Sequence, residues 1–324
     1  MTDDPLHKAD RLLAAGHIGA AVDIVEHAAL SGAAAMFRLA TWHLVGDPLP
    51  RDLPRARLLL RQSTDAGNAD AAMMEVALTA NGTGAPPDWA SARRLLEEAA
   101  AREIEIAQKH VNLLSGMDID AQGYPRRLPP PEKLSDTPLV HSWRNVLTAD
   151  ECAHLATSVL DLLGPSMVVD PRTGQQIAHP VRKSSAAVIG PTRETLPIQA
   201  IQRRLSAMTG TSVSAGEPLA ILHYAPGQEY LPHVDTLPHE PNQRVMTALI
   251  YLNEGYLGGE THFPGIGLTM AGKAGDVLVF ANTQEDGSPD ARSRHAGLPV
   301  RNGTKWLATR WIRNQPLDIW ASRG

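Results

Sequence analysis

The strongest constraint on this chain is a self-similarity in its first third. Ala56-Arg57-Leu58-Leu59-Leu60 realigns with Ala92-Arg93-Arg94-Leu95-Leu96 at an offset of 36. Leu39-Ala40 realigns with Val76-Ala77 at 37, and Ala21–Gly32 with Ala56–Gly67 at 35. A period in the mid-thirties is the length of one helical hairpin. A hairpin cannot bury its apolar face alone, so such units stack into a solenoid. Each unit reads as a small-and-apolar helix, a Gly-containing turn (Gly46; Gly82 and Gly84) and an amphipathic helix. Ala34, Ala35, Ala71 and Ala72 are small enough to let neighbouring helices approach closely. Glu103–Ser115 is expected to cap the stack, and Trp42 and Trp89 to lie in its core.

After residue 120 the pattern changes. Residues 1–120 hold 17 acidic and 11 basic side chains, a net of −6, whereas the rest hold 18 and 19, a net of +1. Gln122–Pro138 contains Pro125, Pro129, Pro130, Pro131 and Pro138, and prolines fix φ and remove donors, so the segment reads as an extended linker. Beyond it, helical spacing over Thr148–Leu163 begins with a capping box, Thr148 and Glu151, and a second helix covers Leu196–Met208. Then the period becomes two. Strands are expected over Leu219–Tyr224, Arg244–Leu252, Glu260–Phe263, Leu268–Met270, Asp276–Phe280, His295–Pro299 and Lys305–Ile312. Short strands broken by Gly and Pro predict a sandwich or barrel with the helices packed on one sheet.

Composition narrows the function classes. At 324 residues the chain is long enough for about two domains, and 43% hydrophobic content supplies their cores. The formal charge of −5 argues against a nucleic-acid partner, which needs a basic face. Cys152 is the one cysteine, expected to be a small buried thiol, so neither an intramolecular disulfide nor an all-cysteine metal site can form. Met1–Asp10 is polar without a basic stretch leading into an apolar run, and no apolar segment is long enough for a membrane span. The expectation is a soluble cytoplasmic protein with no membrane partner.

The chemistry gathers in the strands. His233 and Asp235 are two apart, so on a strand they share a face, and His295 follows sixty residues after Asp235. Two imidazoles and a carboxylate converging on one ion leave positions open, the arrangement suited to ferrous iron that also holds a cosubstrate and O2. A bare His-x-Asp triplet is a weak signal. Lys305 strengthens it: Leu307, Thr309 and Trp311 share its face, and a lysine inside a sheet is costly unless it meets an anion. An ammonium there suits a dicarboxylate. Tyr224 and Thr261 stand on strands and can donate hydroxyls to carboxylate oxygens, and Gly258-Gly259 allows a tight approach before Thr261.

Four ordered blocks carry a family resemblance. They are Tyr224-x-x-Gly227-Gln228-x-Tyr230-x-x-His233-x-Asp235, Gln243-Arg244-x-x-Thr247-x-x-x-Tyr251-Leu252-Asn253, Gly258-Gly259-Glu260-Thr261-x-Phe263-Pro264, and His295-x-x-x-Pro299-Val300-x-x-Gly303-x-Lys305-Trp306-x-x-x-x-Trp311. Over about residues 138–313, with a weaker match through Glu151-Cys152 and Val181–Ser185, the chain resembles the prolyl 4-hydroxylases. Residues 10–116 resemble tetratricopeptide-like repeats of the shorter, Ala/Gly-rich kind.

The resemblance implies a double-stranded β-helix that uses Fe(II), 2-oxoglutarate and O2, with ascorbate as an additional reductant. It makes His233, Asp235 and His295 the iron ligands and Lys305 the partner of the distal carboxylate of 2-oxoglutarate, assisted by Tyr224 and Thr261. Glu217, Tyr230, Arg244 and Trp311 match peptide contacts. Lys183 departs from the pattern, where related enzymes often carry Thr, and Val169–Pro180 is expected as a mobile lid. His239, in a solvated loop, and His223 and His262, on the opposite strand faces, are not read as ligands, and Asp276 reads as structural.

The expected architecture is α+β: a helical-repeat domain over 1–120, a Pro-rich linker over 121–138, and a jelly-roll dioxygenase domain with flanking helices over 139–324. The expected activity couples 2-oxoglutarate decarboxylation, yielding succinate, to hydroxylation of prolyl residues in a protein or peptide held by the repeats. The alternatives are the same chemistry on a small molecule or another side chain, and a non-catalytic scaffold with a relict barrel. A zinc hydrolase lacks an obvious general base and leaves Lys305 unexplained.

Overall fold

The computed structural model describes residues 4–169, 176–178 and 182–320. Of the expected Val169–Pro180 lid, residues 170–175 and 179–180 lie outside this set. By backbone proximity the chain divides into a unit of residues 1–117, 121–123 and 191–199 and a unit of residues 118–120, 124–190 and 200–324.

The first unit carries seven described helices: α1 (Pro5–Ala14), α2 (Ile18–Ala28), α3 (Ala33–Val45), α4 (Leu53–Asp65), α5 (Ala69–Asn81), α6 (Trp89–Ala101) and α7 (Glu105–Ser115). The period seen in the sequence is the hairpin α3–α4 repeated as α5–α6. The caps repeat with it. Asp52 and Asp88 accept the N–H of Arg55 and Ser91, at 2.9 Å each, to open α4 and α6. Gly46 and Gly82 end α3 and α5 in the left-handed region, at φ 86° and 81°. Ala35, Ala71 and Ala72 are buried as expected, and so are Trp42 and Trp89. Ala34 is exposed, because it falls one residue, about 100° of helix, away from the buried Ala35.

The second unit opens inside the expected linker. Its prolines stop at Pro131, and the proline-free run that follows keeps all its N–H donors and forms β1 (Glu132–Asp136), paired with β2 (Leu139–Trp143). Helix α8 (Ala149–Thr157) begins with the expected capping box, both halves formed. It ends short of Leu163, where Thr157 and Ser158 turn their hydroxyls back onto the carbonyls of Ala153 and Leu155 at 2.7 and 2.8 Å. Short strands follow: β3 (Gly164–Pro165), β4 (Met167–Val169), β5 (Gln176–Ala178), β6 (Arg182–Lys183) and β7 (Ser185–Val188). Then come α9 (Leu196–Thr209), β8 (Ala220–Tyr224), β9 (Glu229–His233), β10 (Arg244–Tyr251), β11 (Leu257–Gly258), β12 (Thr261–Phe263), β13 (Leu268–Met270), β14 (Val277–Ala281), β15 (His295–Gly297), β16 (Val300–Asn302) and β17 (Lys305–Arg313).

Two large antiparallel sheets result, ordered β1-β2-β14-β10-β17-β8-β7-β3 and β13-β12-β15-β9-β6, beside the two-stranded pairs β11-β16 and β4-β5. Along the chain β8, β10, β14 and β17 of the larger sheet alternate with β9, β12–β13 and β15 of the smaller. A chain that changes sheet at almost every turn winds as a double-stranded β-helix, the jelly roll expected. The core contains side chains of both sheets: Leu222, Leu249, Tyr251, Phe280 and Leu307 from one, Phe263 and Met270 from the other. Phe263 and Phe280 meet edge to face across it at 5.0 Å.

Candidate active site

Strand ends build the site. His233 closes β9 and His295 opens β15, and the two are direct register partners. Asp235 lies past the end of β9, so it joins the histidines through the turn that follows and not through strand alternation as expected. Asp235 Oδ1 is 3.6 Å from His233 Nε2, and Oδ2 is 3.8 Å from His295 Nε2. One ligand atom from each of the three residues falls within 4.8 Å of the others, and among the described residues this is the one such group of His, Cys, Asp or Glu.

The protons are placed for ligation. Nδ1 of His233 lies 2.9 Å from the Leu231 carbonyl, and Nδ1 of His295 lies 3.0 Å from that of Ser293. A carbonyl only accepts, so each Nδ1 carries a proton, and in the neutral ring Nε2 is the nitrogen left with a lone pair for a metal. Burial pulls the His295 pKa down to about 4, with His233 adding to the effect and Asp235 opposing it, which keeps the ring neutral. Burial acts to raise the pKa of Asp235, but the two imidazoles and the Thr247 hydroxyl hold it well below the carboxylate range. Two neutral nitrogens and one anionic oxygen, all turned to one point, suit a ferrous ion. The rings are wedged in place: Tyr230 stacks on His233 at 3.5 Å, and Phe280 packs on His295 at 4.6 Å.

Lys305 opens β17 opposite Tyr224 of β8. It is 2% exposed, and its ammonium donates to the Gly259 carbonyl at 2.6 Å. The Tyr251 and Tyr224 ring centres lie 5.4 and 5.7 Å from Nζ. No described carboxylate comes within ion-pair distance. Burial draws its pKa down to about 8, against a weak opposing pull from Glu260. A buried ammonium with one hydrogen bond is a charge that calls for an anion. Beside it the hydroxyls of Thr261 and Tyr251 are 2.8 Å apart, and the Tyr224 hydroxyl bonds Ser184. His233, Asp235, His295, Tyr224, Thr261 and Lys305 all line a single cavity, so the cluster that could hold a metal and the buried ammonium open onto the same space.

The residues matched to peptide contacts divide. Tyr230 and Trp311 stand on the cavity wall. Glu217 and Arg244 are joined to each other, at 2.6 and 2.8 Å, and Arg313 donates to the same carboxylate. The Arg244 guanidinium lies 4.0 Å over the Trp311 ring, so this pair reaches the cavity through the indole. His223 and His262 point elsewhere, toward Trp306 and Thr269, as expected for the opposite faces. Asp276 is buried and paired with Arg144 at 2.6 Å, a structural tie.

Three residues had no site role in the sequence reading, although two of them, Thr247 and Tyr251, stand in the motif blocks. Tyr251 bonds Thr261 beside Lys305, Thr247 donates to Asp235, and Asn282 donates to Thr247. Thr247 and Tyr251 alternate with Leu249, which lines the cavity, so period two along β10 was the available signal. Asn282 sits just past β14 and reads as an ordinary turn residue.

A model of the 2OG-Fe(II) oxygenase superfamily matches residues 219–313, and the Sel1 repeat model matches residues 33–68 and 70–103. Probable prolyl 4-hydroxylase 10 of Arabidopsis thaliana is 34% identical over 206 residues, 56% of this chain and 71% of that protein. Prolyl 4-hydroxylase 1 of the same plant is 35% identical over 204 residues, 57% of this chain and 72% of that protein. Among solved structures, the viral collagen prolyl hydroxylase of Paramecium Bursaria Chlorella virus-1, in its 2OG complex, is 26% identical with a TM-score of 0.44, covering 54% of this chain and 95% of that one. This chain belongs to the 2OG-Fe(II) oxygenase superfamily as a relative of the prolyl 4-hydroxylases, an iron- and 2-oxoglutarate-dependent dioxygenase with Sel1 repeats ahead of its oxygenase domain.

Proposed function

We propose that the protein hydroxylates prolyl residues of a protein or peptide, with His233, Asp235 and His295 as the iron ligands and Lys305 as the anchor of 2-oxoglutarate. The observation that carries this reading is the single cavity shared by the three ligands and the unpaired ammonium. When bound, iron would allow O2 to act as the oxidant, one oxygen atom going to an unactivated carbon and the other to 2-oxoglutarate, which leaves as succinate and CO2.

The protein's part is placement. Lys305 sits in a dry wall, where a charge-assisted bond to the distal carboxylate is strong, and the Thr261–Tyr251 hydroxyl pair and Tyr224 stand ready as further donors. Leu222, Leu249 and Leu307 give the same cavity an apolar wall. Tyr230 and Trp311 frame the approach, and the Glu217–Arg244 pair braces the indole. Aromatic walls suit a pyrrolidine ring, which offers C–H edges and no strong polar handle. The Sel1 repeats give the partner protein a second surface to hold.

The deciding experiment has two stages. Anaerobic addition of Fe(II) and then 2-oxoglutarate should produce a visible charge-transfer band. Proline-containing peptides should then gain the mass of one oxygen atom, with equimolar succinate. A folded protein without the band overturns the iron reading. A band with succinate but no modified proline in any host protein overturns the choice of substrate.

A further inference from the structure

Asp235 is the least supported of the three ligands by its own strand. β9 ends at His233, two residues earlier, yet Asp235 is 4% exposed. What holds it comes from the other sheet. Thr247 Oγ1, on β10, donates to Asp235 Oδ2 at 2.6 Å. Asn282 Nδ2 donates to that same Thr247 oxygen at 2.8 Å. Thr247 and Asn282 have no exposed surface. The backbone fixes Asn282 in turn, since its N–H donates to the Val245 carbonyl and its carbonyl accepts from the Asp290 N–H, at 2.8 and 2.9 Å.

The direction of the relay is forced. A carboxylate only accepts, so the single Thr247 proton goes to Asp235. The Thr247 lone pair then takes the amide N–H, which turns the Asn282 carboxamide with its nitrogen toward Thr247. The Asn282 Oδ1 atom is left buried and without a hydrogen-bond partner among the described residues. A buried acceptor left unmade is costly, so this orientation is kept for the bond to Thr247.

We infer that Asn282 and Thr247 are a positioning pair for the metal centre: their chain of donors grips Asp235 at Oδ2 and fixes the rotation of the carboxylate toward the two histidines. In that orientation Oδ1 lies 3.6 Å from His233 Nε2 and Oδ2 3.8 Å from His295 Nε2, with one lone pair of Oδ2 taken by Thr247. The tie also joins the sheet that carries Thr247 to the segment that follows the sheet carrying His233, so the ligand set is assembled by folding before any ion arrives. This inference rests on the iron reading above.

The test is anaerobic Fe(II) titration in the presence of 2-oxoglutarate, reading both the dissociation constant and the position of the charge-transfer band, beside a thermal melt of each variant. Thr247→Val keeps the shape and removes the donor; it should weaken iron binding about 10–100-fold and shift the band. Thr247→Ser should restore both. Asn282→Leu, which removes only the outer link, should weaken binding by less than Thr247→Val while shifting the band the same way. A purely structural role would lower the melting temperature and leave iron affinity and band position alone, and a folded Thr247→Val protein with both unchanged overturns the inference. Should Thr247→Val not fold, Asn282→Leu decides alone: an unmoved band and unchanged affinity overturn it. A wild-type protein without any band fails the iron reading itself, a result distinct from a wild-type band that the variants leave untouched.

Discussion

Buried charges are handled in opposite ways in two parts of the oxygenase unit. At the N-terminus of α8, Glu151 is 2% exposed and accepts two bonds from Arg204, at 2.8 and 2.9 Å, and one from the Thr148 N–H at 2.8 Å. Every charge there is met within the fold. In the cavity, Lys305 is equally buried and meets one neutral carbonyl. The Sel1 repeats follow the first pattern, with Glu75 buried beside Arg61 at 3.3 Å. The difference separates charges that hold a structure together from a charge left waiting for a ligand, and it gives a physical criterion for a site that does not depend on motif matching. Each of the following substitutions presses on that distinction.

The largest effect belongs to the ligands. Asp235→Ala removes the one anionic donor between two neutral imidazoles and should reduce succinate formation to background, with the charge-transfer band lost. The protein should remain folded, because among the described residues no Arg or Lys is ion-paired with Asp235. Retained turnover would break the assignment of His233, Asp235 and His295 as a working set.

Glu151→Gln tests the structural half of the comparison. It leaves Arg204 buried with an uncompensated charge, and breaking such a pair costs about 3–5 kcal/mol. Denaturant unfolding should show that loss, while iron affinity per folded molecule stays at the wild-type value. If instead the band shifted, the α8 pair would not be merely structural.

Lys305→Ala reverses the expectation. Losing a charge-assisted bond to a bound carboxylate is worth about 1.5–3 kcal/mol, so the 2-oxoglutarate requirement should rise about 10–100-fold with iron binding nearly intact. Stability should not fall as it does at Glu151, since removing an unpaired buried ammonium also removes its desolvation cost. The wild type carries a matching pH signature. Burial lowers the Lys305 pKa to about 8, and a bound carboxylate raises it again. The ammonium is therefore present without ligand below pH 8, and above it the proton must be taken up on binding. Affinity for 2-oxoglutarate should be flat below about pH 8 and fall about tenfold per pH unit above it, until the pKa of the complex is reached. Direct titration at several pH values checks the slope, and Lys305→Ala should abolish it.

The sequence shows the two regions unequally. The repeats are legible because their contacts are local: a hairpin carries its own caps, turn glycine and apolar face within 36 residues, so one unit predicts the next. The long strands β10 and β17 are legible through period two. β9 is not, because Pro232 and the polar Glu229 dilute its alternation, and β1 is hidden among prolines. His233, Asp235, His295 and Lys305 can be picked out by residue type, since few side chains perform that chemistry. Thr247 and Tyr251 stand in the motif blocks and Asn282 in none, but no role follows from their residue types. A threonine, a tyrosine and an asparagine are ordinary residues, and only the pairing of two sheets tells which of them face the site.

The smallest effect sharpens the contrast from the side of the repeats. Gly46 and Gly82 occupy equivalent positions 36 residues apart, both in the left-handed region that a side chain enters at about 1–2 kcal/mol. Strict repetition predicts equal costs for Gly46→Ala and Gly82→Ala. Their neighbours differ. A Cβ at Gly46 would meet the Arg51 Cβ at 3.3 Å, a contact relieved by a small shift, whereas one at Gly82 would meet the Pro87 ring at 2.9 Å and its backbone nitrogen at 3.0 Å. Gly82→Ala should therefore be the more destabilising of the two in thermal unfolding, and neither should move the iron band. Equal melting temperatures would mean that the turn before α6 is loose enough to absorb a methyl group against proline. A shifted band would mean that the oxygenase site senses the packing of the repeats.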